Sequence, residues 1–208
     1  MTKQRTTHEQ YIKDNQAFIF ELDDVLYPAK DYWLQVYYLF AQFIEYGEQI
    51  EASGIIQFME ETYRQEGRQG IFEKTALRFN LPEKYHINFD LLQQNARLPL
   101  KLLLFAPLLE FMKAVQDAGK LLFLLVEGQP EEQLNKIRQM EWNGLERYLK
   151  VYFLQEMEGG YKGGIDKICS EHRLKTEEIL IVGNPKYGTD LAYFNTLRFV
   201  STDNLSVT

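Results

Sequence analysis

A lone cysteine, Cys169, in 208 residues rules out any intrachain disulfide, so the fold must be held by packing and hydrogen bonds. Proline occurs six times and histidine three times, which leaves little imidazole for acid–base or metal chemistry. Basic charge is in deficit: 23 Lys and Arg stand against 30 Asp and Glu, a net charge of −7. No Lys/Arg cluster is long enough to neutralise a phosphate backbone, which argues against nucleic acid as a partner. Long apolar runs are missing as well. Stretches such as 102–106 and 121–126 fall far short of a bilayer's thickness, and residues 1–16 contain no apolar core of a secretory signal. A cytoplasmic protein with no membrane and no nucleic-acid partner is the expectation.

Apolar residues make up 45% of the chain and aromatics 14%, ample for one substantial core. Residues 17–22 form an apolar run that predicts a first strand. From about 31 to 95 the spacing is helical: Trp33, Tyr37, Phe40 and Ile44 share one face. Ile55, Phe58, Met59 and Tyr63 share a second, and Ile71, Phe72 and Leu77 suggest a third. After Pro99 the pattern alternates. Pro107 opens a helix that Gly119 ends, 120–126 reads as a strand, and Pro130 opens a helix to about 140. Strands are expected at 150–154, 179–182 and 198–201, with helices at 164–173 and 190–194 between them. Such alternation predicts right-handed βαβ units. The fold class expected is α/β, a Rossmann-like doubly wound parallel sheet with a helical cap inserted after strand one. The core would take 1–28 and 98–208, and the cap 29–97.

In such a sheet, ligands bind beyond the carboxyl ends of the strands. The polar anomalies of this chain fall there. Strand one runs Phe18-Ile-Phe-Glu-Leu-Asp-Asp-Val-Leu-Tyr27 and ends in Glu21 and Asp23. The second strand ends in Val126-Glu127-Gly128, and Lys162 sits within Gly159-Gly-Tyr-Lys-Gly-Gly164. The fourth strand ends in a loop from Gly183 through Asn184 to Asp190. Each feature has a plainer reading. Paired acids after a strand often make a turn, a lysine between glycines can be a solvated loop, and Asn184-Pro185 with Gly188 can be a turn. His172 shares a face with Ile165, Ile168 and Cys169 and reads as core. His8 and His86 show no acid–base partner.

The strand-one motif and the order of the four loops resemble the haloacid dehalogenase-like hydrolases over about 17–201, in the class with a helical cap after motif one. The resemblance implies a sheet order of 5-4-1-2-3. It also implies roles. Glu21 stands at the position of an aspartate nucleophile and metal ligand, and Asp23 at that of the general acid/base, with its backbone carbonyl a further metal ligand. Val126, Glu127 and Gly128 stand where a Thr or Ser loop holds phosphate, and Lys162 where a lysine clamps it. Asn184 and Asp190 stand at acidic positions that bind magnesium. The departures matter. Glu21 is longer than Asp by a methylene, and a misplacement of roughly an ångström can cost about 100-fold. Val126 lacks a hydroxyl, Glu127 would repel a phosphate, Gly163 replaces a proline after the lysine, and Asn184 lacks a charge. The sequence therefore points to a catalytically impaired or inactive relative that binds a ligand or regulates. The alternative is an active magnesium-dependent phosphohydrolase acting on a small phosphorylated metabolite.

Overall fold

The computed structural model describes residues 8–184 and 197–205. The expected helix at 190–194 and the candidate ligand Asp190 lie outside the described residues. Five strands form one sheet: β1 (Ala17–Phe20), β2 (Leu121–Val126), β3 (Leu149–Phe153), β4 (Ile179–Gly183) and β5 (Arg198–Ser201). All neighbours are parallel, in the order β3-β2-β1-β4-β5. This is the order the motif resemblance implied. The helices are α1 (His8–Asp14), α2 (Lys30–Glu48), α3 (Ala52–Glu66), α4 (Ile71–Phe79), α5 (His86–Asn95), α6 (Ala106–Asp117), α7 (Pro130–Gln139), α8 (Gly160–His172) and α9 (Thr202–Leu205).

The central strands are unbroken apolar runs because both faces are covered, the usual sign of a parallel sheet. Every residue of β1 is buried. Its side chains alternate between faces. Phe18 and Phe20 meet Phe111 of α6, with ring centroids 5.6 and 6.2 Å apart. Ala17 and Ile19 face the other way and join Phe123, Leu125, Ile179 and Ile181 in a cluster with Tyr161, Ile165 and Ile168 of α8. Register sets Phe20 beside Val182, and the Glu21 N–H donates to the Val182 carbonyl at 3.1 Å, so Glu21 lies alongside Gly183.

Residues 29–102 and 131–139 form a second compact unit, distinct from the one that carries the sheet. Helix α7 follows β2 in the chain but packs among the helices of 29–102. Asn135 and Gln139 both donate to the Ala96 carbonyl, at 3.0 and 2.7 Å. The apolar faces expected on α2 and α3 are buried at Trp33, Tyr37, Phe40, Ile44, Ile55 and Met59. On α4, Ile71 and Phe72 are buried but Leu77 is 87% exposed. Five residues separate Leu77 from Phe72, which turns it about 140° round the helix from the buried side.

Two boundaries differ from those read in the sequence. A helix, α1, occupies part of the polar N-terminal stretch, where the His8 ring lies tilted against Phe111 with centroids 5.0 Å apart. Helix α8 begins at Gly160, one turn before the expected 164. Gly159 and Gly160 adopt φ of 82° and 57°, so a segment that reads as loop from its glycines closes into a first turn.

Candidate functional site

Strand alternation decides where Glu21 points. It lies two residues beyond Ile19, on the face covered by α8. There the Tyr161 hydroxyl donates to Glu21 Oε1 in a short hydrogen bond, and the Asn184 N–H donates to Oε2 at 3.1 Å. The close approach requires glycine on β4, since a Cβ on Gly183 would stand 2.7 Å from Glu21 Oε2. Glu21 is only 8% exposed, as is Tyr161. Burial pushes the Glu21 carboxyl above its ordinary value. The hydrogen bonds from Tyr161 and Asn184 oppose that rise, and the charge of Glu127 adds to it. Burial raises the Tyr161 phenol too, and the Glu21 carboxylate beside it raises it further. The phenol therefore stays protonated and serves as a donor to Glu21.

Asp23 has a different partner. The Tyr27 hydroxyl donates to its Oδ1 at 2.6 Å, and Tyr27 is fully buried. The turn that sets this pair is local: Asp24 takes a φ of 56°, its N–H donates to the Tyr27 carbonyl at 3.0 Å, and the Leu26 N–H donates to the Leu22 carbonyl at 3.0 Å. Asp and Asn enter the left-handed region more readily than most residues, which suits Asp24 to that position.

The other residues read from the sequence are placed as follows. Val126 ends β2 and is buried, so an apolar side chain occupies that position. Glu127 is exposed, and Gly128 takes a φ of 112°. Lys162 is 64% exposed at its side chain, with its Nζ 2.6 Å from Asp166 Oδ2. Asn184 reaches Glu21 through its backbone N–H. The structure thus brings Glu21, Asn184 and Gly183 together, with Glu127 near enough to raise the Glu21 carboxyl.

The residue that the sequence reading missed is Tyr161. A signal for it exists. Tyr161, Ile165 and Ile168 are spaced four and seven apart, so extending α8 by one turn puts all three on one buried face.

Magnesium needs hard oxygen ligands, commonly one or two carboxylates, with room for several waters. Glu21 has hydrogen-bond donors on both oxygens, is buried, and is pushed towards its neutral form. Asp23 holds the Tyr27 hydroxyl. Among the described residues, no three of His, Cys, Asp and Glu cluster so as to hold a metal ion. Among the described residues, then, Glu21 and Asp23 are the carboxylates that could approach a magnesium ion, and each is held by a tyrosine hydroxyl. What the arrangement does is tie three elements together: β1 through Glu21, α8 through Tyr161 and the end of β4 through Asn184.

No protein-family model matches the chain, and no curated protein matches it. Solved structures do. A protein from Thermotoga maritima assigned as a β-phosphoglucomutase aligns at a TM-score of 0.57 with 18% identity, over 88% of this chain and 83% of its own. The HAD-hydrolase YfnB from Bacillus subtilis, determined bound to magnesium, gives 0.54 with 12% identity, over 82% and 78%. A hydrolase from Streptococcus pneumoniae gives 0.52 with 12% identity, over 90% and 91%. At this identity the likeness establishes the fold, that of the haloacid dehalogenase-like hydrolases. Among the described residues, no helix is long and apolar enough to cross a membrane.

Proposed function

We infer that this chain, which carries the haloacid dehalogenase-like fold, is a pseudoenzyme: a protein derived from a phosphohydrolase that binds a ligand or regulates, with catalysis impaired or lost. One observation carries the reading. The carboxyl at the nucleophile position, Glu21, is buried and bound by the Tyr161 hydroxyl and the Asn184 N–H. A carboxylate nucleophile has to be ionised and free to travel to phosphorus. Three further features support the same reading: the apolar side chain of Val126, the outward course of Lys162 to Asp166, and the exposed charge of Glu127. In-line phosphoryl transfer depends on cations that neutralise the transferring group, and the one cation among these positions, Lys162, is paired with Asp166. The ligand class is a small phosphorylated metabolite or another small molecule. A cytoplasmic location fits the single cysteine.

Phosphatase assay decides between this reading and an active magnesium-dependent phosphohydrolase. The natural protein is tested on p-nitrophenyl phosphate and a panel of phosphorylated metabolites, with and without magnesium, beside an Asp23→Asn control. The expected result is no magnesium-dependent turnover. Turnover that disappears in the control would overturn the inference.

A further inference from the structure

At its C-terminal end, α8 is joined to the edge strand β3 by a chain of four side chains. The Tyr152 hydroxyl donates to Glu171 Oε2 at 2.6 Å and lies 2.9 Å from His172 Nε2. His172 Nδ1 in turn lies 3.5 Å from the Lys150 ammonium. A phenol has one proton to donate. Tyr152 gives it to Glu171, so its oxygen accepts from an Nε2–H. The ammonium carries donors only, so Nδ1 is the bare nitrogen. These contacts therefore fit one state of the ring, a neutral imidazole protonated at Nε2. Burial and the Glu171 carboxylate push the Tyr152 phenol up to about 12, so it keeps its proton. The Tyr152 hydroxyl holds Glu171 below the ordinary carboxylate value, so that group stays ionised.

We propose that His172, with Lys150, Tyr152 and Glu171, is a proton-operated clasp between α8 and the edge strand β3, closed when the ring is neutral and half-opened when it is protonated. A proton on Nδ1 sets an N–H against the ammonium and ends that hydrogen bond. Lys150 is exposed, so its head group moves into water with no change of backbone. The contact between Nε2 and Tyr152 remains. Among the described residues, the groups facing the ring come from three elements. Strand β3 supplies Lys150 and Tyr152. Helix α8 supplies Glu171, with Lys167 3.4 Å from its Oε1. Strand β2 supplies the apolar ring of Phe123, its centroid 4.7 Å away. Burial and then the Lys150 charge lower the imidazole from its ordinary value, and Glu171 opposes them. The unfolded chain thus takes up the proton first. Stability falls as pH drops from the ordinary histidine value to the lowered one, and is level below it.

Ring-proton NMR of His172 and hydrogen exchange of the β3 amides test the clasp, above and below the midpoint of the ring. The natural protein should show a midpoint below the ordinary histidine value. Protection factors of the β3 amides should fall about threefold as the ring protonates, the scale of one exposed charged contact. Lys150→Met keeps the aliphatic stem and removes the charge, and circular dichroism confirms its folding. In that variant the midpoint should rise, and β3 protection should no longer change as the ring titrates. A midpoint at or above the ordinary value overturns the proposal, as does one that Lys150→Met leaves in place. So does β3 protection in the natural protein that ignores the charge of the ring. Should Lys150→Met fail to fold, the two measurements on the natural protein decide. His172 and Tyr161 stand at opposite ends of α8, so these outcomes are independent of whether the rim turns over a substrate.

Discussion

Glu21 is a buried carboxyl held by the Tyr161 hydroxyl and the Asn184 N–H. Because burial lifts its folded-state proton affinity above that of the unfolded chain, the folded protein binds the extra proton from the ordinary carboxylate range up to the raised value. Stability then falls as pH rises through that window, and the full cost is present above it. Glu21→Gln keeps a carbonyl for the Asn184 N–H and an amide for the Tyr161 oxygen but does not titrate. The variant is expected to be more stable than the natural protein at neutral pH, with the difference shrinking as pH falls from the raised value to the ordinary carboxylate range. Urea denaturation at the two pH extremes measures it, and a variant less stable at neutral pH would contradict the assignment. The direction of Glu21 was legible in the sequence, because strand alternation from Ile19 fixes it. Its partner was not. Tyr161 reaches Glu21 only because Gly159 and Gly160 adopt left-handed angles, and composition alone reads such a glycine cluster as loop.

Among the elements, the strands were the most legible. β1, β2 and β4 are apolar throughout and too short for helices, and β1 and β4 are buried along their whole length. Helix α7 was harder to place. Its sequence is the most polar of the amphipathic helices, yet Glu132, Gln133 and Lys136 are buried. The reason lies in a charge cluster that periodicity cannot reveal. Lys136, fully buried, sets its Nζ 2.8 Å from Glu132 Oε1 and over the rings of Tyr32 and Trp33, at 5.1 and 5.0 Å from their centroids. Arg68 approaches Glu132 Oε2 at 3.3 Å and Trp33 at 4.8 Å. Lys136→Met preserves the aliphatic stem but leaves Glu132 with one half-exposed cation. We expect a loss of about 3 kcal/mol, the scale for breaking a buried pair. Arg64→Met removes only an exposed partner of Glu60 at 3.0 Å and should cost under about 0.5 kcal/mol. Denaturant melts of the two variants check the contrast, and equal losses would contradict the buried pair's role.

At the scale of the whole molecule, fold and site follow different rules. The five-strand order and its parallel connections follow from apolar patterning and the right-handedness of crossovers, and many sequences satisfy them. Structural neighbours at 12–18% identity illustrate this. Chemistry instead depends on a few side chains at the strand ends, where one substitution changes what the rim can do. Here the rim carries a buried acid–phenol pair, Glu21 with Tyr161, which takes part in the hydrogen bonding of the fold. Carboxyl-carbon NMR of Glu21 tests this most directly, titrated in the natural protein and in Tyr161→Phe. The Glu21 midpoint should lie above the ordinary carboxylate range and move higher still in Tyr161→Phe, because the Tyr161 hydrogen bond is what holds it down. A midpoint in the ordinary range, unmoved by Tyr161→Phe, would show a solvated and unpartnered carboxylate and contradict the reading of the site.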